Sequence, residues 1–174
     1  AARLCHDLIS PVSAIANGAE LLGEDDPDFV REAVALVDSS ARNANARLQF
    51  FRFAYGFSGS GLAGPAPHLL AAEYFAESAI ECDYGEAARA LPLGEQKLAC
   101  AMLLVAGEAL SRGGRLVVGA ACGGPEIDAA GDAVSLSEET RAALTRTTDP
   151  AELTTKTVIA YFAGLLAAAR GRVL

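Results

Sequence analysis

The strongest candidate for chemistry is His6, one of only two histidines in the chain. Its neighbour Asp7 supplies a carboxylate, and Ser10 supplies a hydroxyl one helical turn further on, over the same face. Pro11 then interrupts a helical pattern, although proline inside a helix costs about 3 kcal/mol and bends it. An exposed imidazole beside small polar side chains gives a partner room to bring a reactive group to the ring. The segment therefore predicts a reaction site that another protein can reach.

The helix that carries this histidine must turn it away from the protein interior. Apolar residues recur at spacings of three and four, which is typical of an amphipathic helix ending near Gly23; they are Leu4, Leu8, Val12, Ile15, Ala19 and Leu22. His6 lies two residues after Leu4, about 200° around a helix, and so points away from this stripe. The small polar residues Ser10, Ser13 and Asn17 lie above it on its own side.

A second helix follows, with the clearest periodicity in the chain. Asp28 is a possible N-cap after a polar turn at residues 24–27. Apolar residues then alternate spacings of four and three in a heptad seam formed by Val30, Val34, Val37, Ala41, Ala44, Leu48, Phe51 and Tyr55. Further apolar residues beside the seam widen it beyond what the first helix can cover. Since two helices cannot enclose a core, we predict that hairpins from two subunits form a four-helix bundle in a homodimer.

A linker rich in glycine, serine and proline separates this hairpin from the rest of the chain. We therefore expect two domains, a helical hairpin over residues 1–57 and a second unit over residues 65–174. The elements expected in the second unit are helices at 69–80, 97–110 and 137–144, strands at 88–93, 115–122 and 126–130, and a last long helix that opens at Asp149-Pro150. This mixture predicts a small α/β sandwich, and the whole chain is assigned to the α+β class.

Composition narrows the classes of partner. The chain is 52% hydrophobic and 21% charged, as in ordinary globular proteins. A net charge of −8 argues against nucleic acid as a direct partner, and no apolar run approaches the roughly 20 residues of a membrane span. The four cysteines lack the spacing of a metal site. They are predicted to be buried free thiols in a reducing cytoplasm, without disulfide or metal roles.

The segment from His6 to Pro11 resembles the H-box of dimeric sensor histidine kinases. The longer run through Ile15, Asn17, Gly18, Glu20 and Leu22 is more similar to the ChpT-type histidine phosphotransferases of alphaproteobacteria. The resemblance implies that His6 is the phosphoacceptor. We expect Asp7 to hydrogen-bond the ring nitrogen that does not attack, and Ser10 to leave room beside it. Ser13, Asn17 and Leu21 are predicted to contact a receiver domain, and Gly18 to permit close approach of a neighbouring helix.

The second unit resembles the ATP-binding domain of histidine kinases, but without that domain's nucleotide-binding features. Residues 103–110 contain no asparagine to hold magnesium and phosphates. Residues 128–132 lack the second glycine of the adenine-binding segment, and residues 149–156 lack any glycine. Without glycine-rich backbone no phosphate cradle forms. We therefore predict a degenerate domain with no ATP site, no metal site and no resident cofactor.

A histidine that cannot be phosphorylated from ATP can still receive a phosphoryl group from an aspartyl phosphate. The resemblance implies a CckA-like hybrid kinase receiver domain as donor and CtrA-like or CpdR-like response regulators as acceptors. The Mg²⁺ would come from the receiver. Neither nucleic acid nor membrane is an expected partner, and the expected location is cytoplasmic.

Three other readings stay open. One is a non-catalytic dimer that binds response regulators, and another is a divergent histidine kinase, in which Glu108 replaces a lost asparagine. A metal phosphohydrolase is suggested by the His6-Asp7 pair, but such sites need several histidines and the chain offers only His68 besides. Polar residues on the outer side of the second helix are expected to be general surface; they are Arg42, Asn43, Asn45, Arg47 and Arg52.

Overall fold

The structure is a computed structural model that describes residues 2–56 and 64–174. Its helices and strands follow in the order α1 (Ala2–Leu21), α2 (Pro27–Tyr55), α3 (Pro67–Phe75), β1 (Ile80–Tyr84), α4 (Glu86–Arg89), α5 (Leu93–Ala109), β2 (Gly114–Ala121), β3 (Gly124–Ala130), α6 (Glu138–Leu144) and α7 (Val158–Ala168). This arrangement confirms the α+β class. Within the described ranges, no helix combines the length and the apolar character that crossing a membrane requires.

The helices α1 and α2 pack as an antiparallel hairpin. They approach closely at Gly18, where an added Cβ would lie 2.7 Å from Val37 Cγ2 and 3.3 Å from the Ala33 carbonyl oxygen. The prediction that Gly18 permits close approach is therefore confirmed. The predicted cap of α2 at Asp28 is wrong. Asp26 is the N-cap and accepts a hydrogen bond from the Asp28 amide at 2.9 Å, because Pro27 takes the first helical position.

The face of α1 that meets α2 is not the predicted apolar stripe. Pro11 and Gly18 are buried against α2, whereas Val12 in the middle of the stripe is 54% exposed. Leu22 at the end of the stripe and Ile9 beside it are also exposed. Pro11 lies about 100° from Val12 around the helix but only about 40° from Ile15, so the contact face overlaps one edge of the stripe. Within the stripe, Leu4, Leu8 and Ile15 are partly buried, whereas Val12, Ala19 and Leu22 stay exposed.

The second part of the chain builds a sheet with strand order β1-β2-β3. β1 pairs in parallel with β2, with Cys82 opposite Leu116, and β2 pairs antiparallel with β3, with Val118 opposite Ile127. The helix α5 lies against this sheet and also packs against α7. Its side chains Leu98 and Leu103 are fully buried, so α5 forms the centre of the core.

The predicted strand at residues 88–93 is wrong, and so is the predicted extension of the preceding helix to residue 80. The helix α3 ends at Phe75 because the Ser78 hydroxyl donates to the Phe75 carbonyl at 2.8 Å and accepts from the Ile80 amide at 3.2 Å. The strand β1 begins at Ile80 instead. Its five residues alternate in exposure, a period of two that is too short to stand out beside the helical pattern before it.

The last helix also begins later than predicted. Asp149 does cap the following residues, accepting from the Ala151 amide at 2.8 Å, but only a 3-10 helix at Pro150–Glu152 follows it. The long helix α7 starts at Val158. The short helix expected at residues 137–144 is confirmed as α6, which Ser137 caps by accepting a hydrogen bond from the Thr140 amide at 3.1 Å.

The four cysteines are free thiols, as predicted, but they are not all buried. Cys100 is buried in α5 and Cys82 is partly buried in β1. Cys5 and Cys122 are exposed, against the prediction. Cys5 lies on the uncovered side of α1, and Cys122 occupies the tight turn between β2 and β3 with a φ of 49°.

Candidate functional site

The imidazole of His6 projects into solvent from the first turns of α1, with 81% of its side chain exposed. Its Nδ1 lies 3.2 Å from Asp7 Oδ1, and the Asp7 side chain is only 8% exposed. In the tautomer that carries its proton on Nδ1, the ring donates to Asp7 and keeps the Nε2 lone pair free. In this tautomer the ring offers a nitrogen that can act as a nucleophile towards an incoming group.

The side chains that continue along the His6 face of α1 are small and accessible. Ser10, Ser13 and Asn17 are exposed and follow His6 at helical spacings of four, three and four residues. Leu21 lies at the far end of this ridge and is 39% exposed. The three predicted contact positions, Ser13, Asn17 and Leu21, thus share with Ser10 one accessible strip that begins at the histidine.

A groove of about 350 Å³ runs beside His6 between the two helices of the hairpin. From α1 it is lined by His6, Asp7, Ser10, Pro11 and Ala14; from α2 by Ser40, Asn43 and Arg47; and from the segment after α3 by Glu77. Asn43 and Arg47, expected to belong to general surface, thus line the groove beside His6. Their spacing of four residues on α2 was the available signal, since it places both on one helix face.

The polar side chains of this groove are joined in a network. Asn43 Nδ2 donates to the Glu77 carboxylate, and Arg47 Nε donates to Asn43 Oδ1 at 2.6 Å. The Arg47 guanidinium lies 5.4 Å from the centre of the Tyr74 ring, and Tyr74 stacks on Phe50 at 4.6 Å. The network thus connects the groove to the packed aromatic residues between α2 and α3.

Other polar residues of the outer α2 surface stay apart from the groove. Arg42 pairs with Asp38 one turn earlier, and both side chains are exposed. The second histidine, His68, lies near the Tyr84 ring with ring centres 6.4 Å apart and does not line the groove. Within residues 2–56 and 64–174, no group of three histidine, cysteine, aspartate or glutamate side chains is arranged to hold a metal ion.

Two polar residues near the start of α5, Gln96 and Lys97, are hydrogen-bonded to backbone carbonyls. Gln96 Nε2 donates to the carbonyls of Arg89 at 3.0 Å and Leu91 at 2.8 Å. Lys97 Nζ donates to the Gly56 carbonyl, which joins α5 to the end of α2. Burial lowers the pKa of Lys97, and the nearby Arg170 cation lowers it further. These two side chains therefore hold the packing together at the start of α5.

The comparisons with known proteins agree with this arrangement. A family model described as the histidine phosphotransferase C-terminal domain matches residues 68–174. Protein phosphotransferase ChpT of Brucella abortus (strain 2308) is 48% identical over 120 residues, which are 67% of this chain and 56% of that protein. The chain thus spans about half the length of this curated relative.

A solved structure of a bacterial phosphotransferase has the same fold. It superposes with a TM-score of 0.76 at 34% sequence identity, covering 98% of this chain and 84% of that one. The similarity therefore includes the hairpin that carries His6 as well as the part that the family model matches. On these matches, the chain belongs to the histidine phosphotransferase family.

Proposed function

We propose that this protein is a phosphorelay histidine phosphotransferase. His6 accepts a phosphoryl group from the aspartyl phosphate of a receiver domain and passes it to the aspartate of a response regulator. The observation that carries this proposal is the His6 side chain, which is 81% exposed and whose Nδ1 lies beside Asp7. The relative from Brucella abortus and the structural neighbour are both phosphotransferases, which supports the same class of reaction.

The proposed transfer needs little acid–base chemistry. The Nε2 lone pair forms a bond to phosphorus while the bond from phosphorus to the aspartyl oxygen breaks, and that electron pair returns to the donor's carboxylate. Asp7 holds the Nδ1 proton throughout and offsets the positive charge that develops on the ring. Phosphoryl transfer depends mainly on positioning and charge neutralisation. We propose that the receiver supplies Mg²⁺ and that this chain has no cofactor of its own.

The partner would dock along the strip that continues from His6. Ser13 and Asn17 offer short polar side chains, and Leu21 offers an exposed apolar one at the far end. Short side chains let an opposing helix come close enough to align its aspartate with Nε2. By resemblance, we propose a CckA-like receiver domain as donor and CtrA-like or CpdR-like regulators as acceptors, in the cytoplasm, where four free thiols are stable.

We further propose that the hairpin forms a four-helix bundle with a second copy. Large apolar side chains on both helices stay exposed in the single chain; they are Ile9, Val12, Leu22, Phe29, Val34, Leu36 and Leu48. Exposed apolar patches of this kind mark protein interfaces. A second hairpin would cover them and leave the His6 face open, because Val12 lies about 240° around α1 from His6.

For residues 65–174 we propose a degenerate relative of the kinase ATP-binding domain, joined to the hairpin domain of residues 1–57. The support is a mixed layer built on α5, whose residues 103–110 contain no asparagine. The expected linker lies partly in residues 57–63, outside the described residues. The proposed role of residues 65–174 is to pack against the hairpin and to support docking, without binding ATP.

One experiment separates this function from its alternatives. A receiver domain carrying a radiolabelled aspartyl phosphate is mixed with the wild type and with His6→Ala, and a parallel sample contains labelled ATP alone. We expect label on the wild type only, no label from ATP, and unchanged receiver affinity for His6→Ala. Labelling by ATP alone would indicate a divergent kinase, and binding without transfer would indicate a non-catalytic regulator-binding dimer.

A further inference from the structure

The groove beside His6 holds one permanent cation among its described lining residues. Arg47 reaches it from α2, while Asp7 and Glu77 bring two carboxylates and the remaining side chains are neutral. A phosphoryl group on His6 would add up to two negative charges beside these carboxylates. Without Arg47 the phosphoryl group would meet only repulsive charge on this side of the ring. Arg47 is therefore the groove residue that can offset the charge of the phosphoryl group.

The position of Arg47 is fixed from two sides. Its Nε donates to Asn43 Oδ1 at 2.6 Å, and its guanidinium lies 5.4 Å from the Tyr74 ring centre. Asn43 is itself held by the Glu77 carboxylate, which accepts from Asn43 Nδ2. The bond through Nε leaves the two terminal nitrogens of the guanidinium with donors that can face the groove. A cation held in advance loses little freedom when it meets a charged group.

We propose that Arg47 is the residue of this chain that neutralises the phosphoryl group on His6, with Asn43 and Glu77 as its positioning residues. Glu77 follows α3 within the part that the family model matches, so the C-terminal part of the chain completes the site on the hairpin. The inference deepens the proposed function, on which it rests. It assigns the charge neutralisation jointly to the receiver's metal ion and to a fixed cation of the phosphotransferase.

The test uses a small phosphodonor, so that receiver docking does not enter. Phosphoramidate transfers its phosphoryl group to Nε2 of His6, the phosphorus–nitrogen bond of the donor breaks, and ammonia leaves. The phosphorylated full chain is then followed by ³¹P NMR as the pH is varied. A nearby cation favours the dianionic phosphoryl group, so Arg47→Gln should raise the titration midpoint of the His6 phosphoryl by about half a pH unit.

Matched variants separate charge from structure. Arg47→Lys keeps a cation, so its titration midpoint should lie close to that of the wild type. Arg42→Gln removes an exposed arginine of the same helix that does not line the groove and should leave the midpoint unchanged. We expect the rate of phosphorylation by phosphoramidate to fall about fivefold in Arg47→Gln. Glu77→Ala frees Asn43 and should lower this rate by a smaller factor. Circular dichroism establishes that each variant is folded.

The outcomes are distinct from those of the relay experiment. A midpoint in Arg47→Gln equal to that of the wild type, or equal shifts in Arg47→Gln and Arg47→Lys, would overturn the assignment of Arg47 while the relay function stands. A wild type that phosphoramidate labels but no receiver labels would refute the proposed relay, and the ³¹P titration would still decide the role of Arg47. If His6 takes no label from either donor, both proposals fail.

Discussion

The hairpin of α1 and α2 and the C-terminal layer, which consists of the sheet and the helices α3 to α7, differ in how they bury apolar surface. In the layer, α5 is buried on nearly all sides, and its central side chains Leu98 and Leu103 have no exposure to solvent. In the hairpin, Val12 of α1 and Val34 of α2 are more than half exposed. The layer closes a core within one chain, whereas the hairpin leaves an apolar face for something else to cover.

This difference explains where the chemistry lies. A helix buried on every side cannot present a nucleophile, and the polar residues at the start of α5, Gln96 and Lys97, are bound to backbone carbonyls. The helix α1 instead has three separate faces: one packs on α2, one is apolar and uncovered, and one carries His6. His6, the proposed phosphoacceptor, therefore lies on a helix that packing does not cover on all sides.

The largest effect that we predict from this difference is on the assembly of two chains into a dimer. Replacing Val12 and Val34 together by glutamate should convert the proposed dimer into a monomer, because two charges would have to be buried in the interface. The dissociation constant should rise by at least a thousandfold, about 4 kcal/mol. Light scattering after gel filtration measures the mass. Val173→Glu, at an 85% exposed position outside the hairpin, is the control and should leave the mass unchanged.

A wild type that stays monomeric at every accessible concentration would contradict the proposal that a second hairpin covers the exposed apolar face. The exposed face would then need a different occupant, and the bundle would have to be abandoned.

The second effect is on the stability of the layer. Leu103→Ala removes a fully buried side chain from α5 and should lower the free energy of unfolding by about 3 kcal/mol, through lost burial and an unfilled cavity. Leu93→Ala, at the exposed start of the same helix, should change it by no more than about 0.5 kcal/mol. Urea unfolding measures both. Similar values for the two variants would show that α5 is not the centre of the core.

The smallest effect is on the pH dependence of stability. Burial, with the neighbouring Asp83 charge, raises the pKa of Cys82 from 9.0 to about 11. Between these values the unfolded chain has lost the thiol proton and the folded chain keeps it, so this contribution is full below pH 9 and is lost as pH rises towards 11. Burial raises the pKa of Cys100 in the same direction, while the lowered pKa of Lys97 acts in the opposite sense.

Cys82→Ala should therefore flatten the fall in stability between pH 9 and 11, measured by urea unfolding at several pH values. Cys122→Ala, at an exposed cysteine, should keep the wild-type slope. An unchanged slope in Cys82→Ala would assign the alkaline loss to other groups.

The sequence was sufficient for the parts that depend on local periodicity. The two long helices, the exposure of His6, the strip from Ser10 to Asn17 and the close approach at Gly18 all follow from spacing along one helix or across one short turn. Boundaries failed where side chains compete with the backbone. Ser78 ends α3 early, and Asp149 caps a 3-10 helix in place of α7.

The groove could not be predicted from the sequence because it depends on packing between distant segments. Glu77 lies 34 residues from Asn43, and no local pattern brings its carboxylate to the Asn43 amide. The apolar stripe of α1 also left its neighbour undetermined. Periodicity identifies a face that must be covered, but it does not distinguish α2 of the same chain from a second copy.

The central claim, that His6 alone receives the phosphoryl group, is tested most directly by locating the modified residue. The wild type, His6→Gln and His68→Gln are incubated with a phosphorylated receiver domain and analysed by mass spectrometry under conditions that preserve phosphohistidine. We predict one phosphoryl group on His6 in the wild type and in His68→Gln, and none in His6→Gln. A phosphoryl group on His68, or on any residue of His6→Gln, would contradict the account.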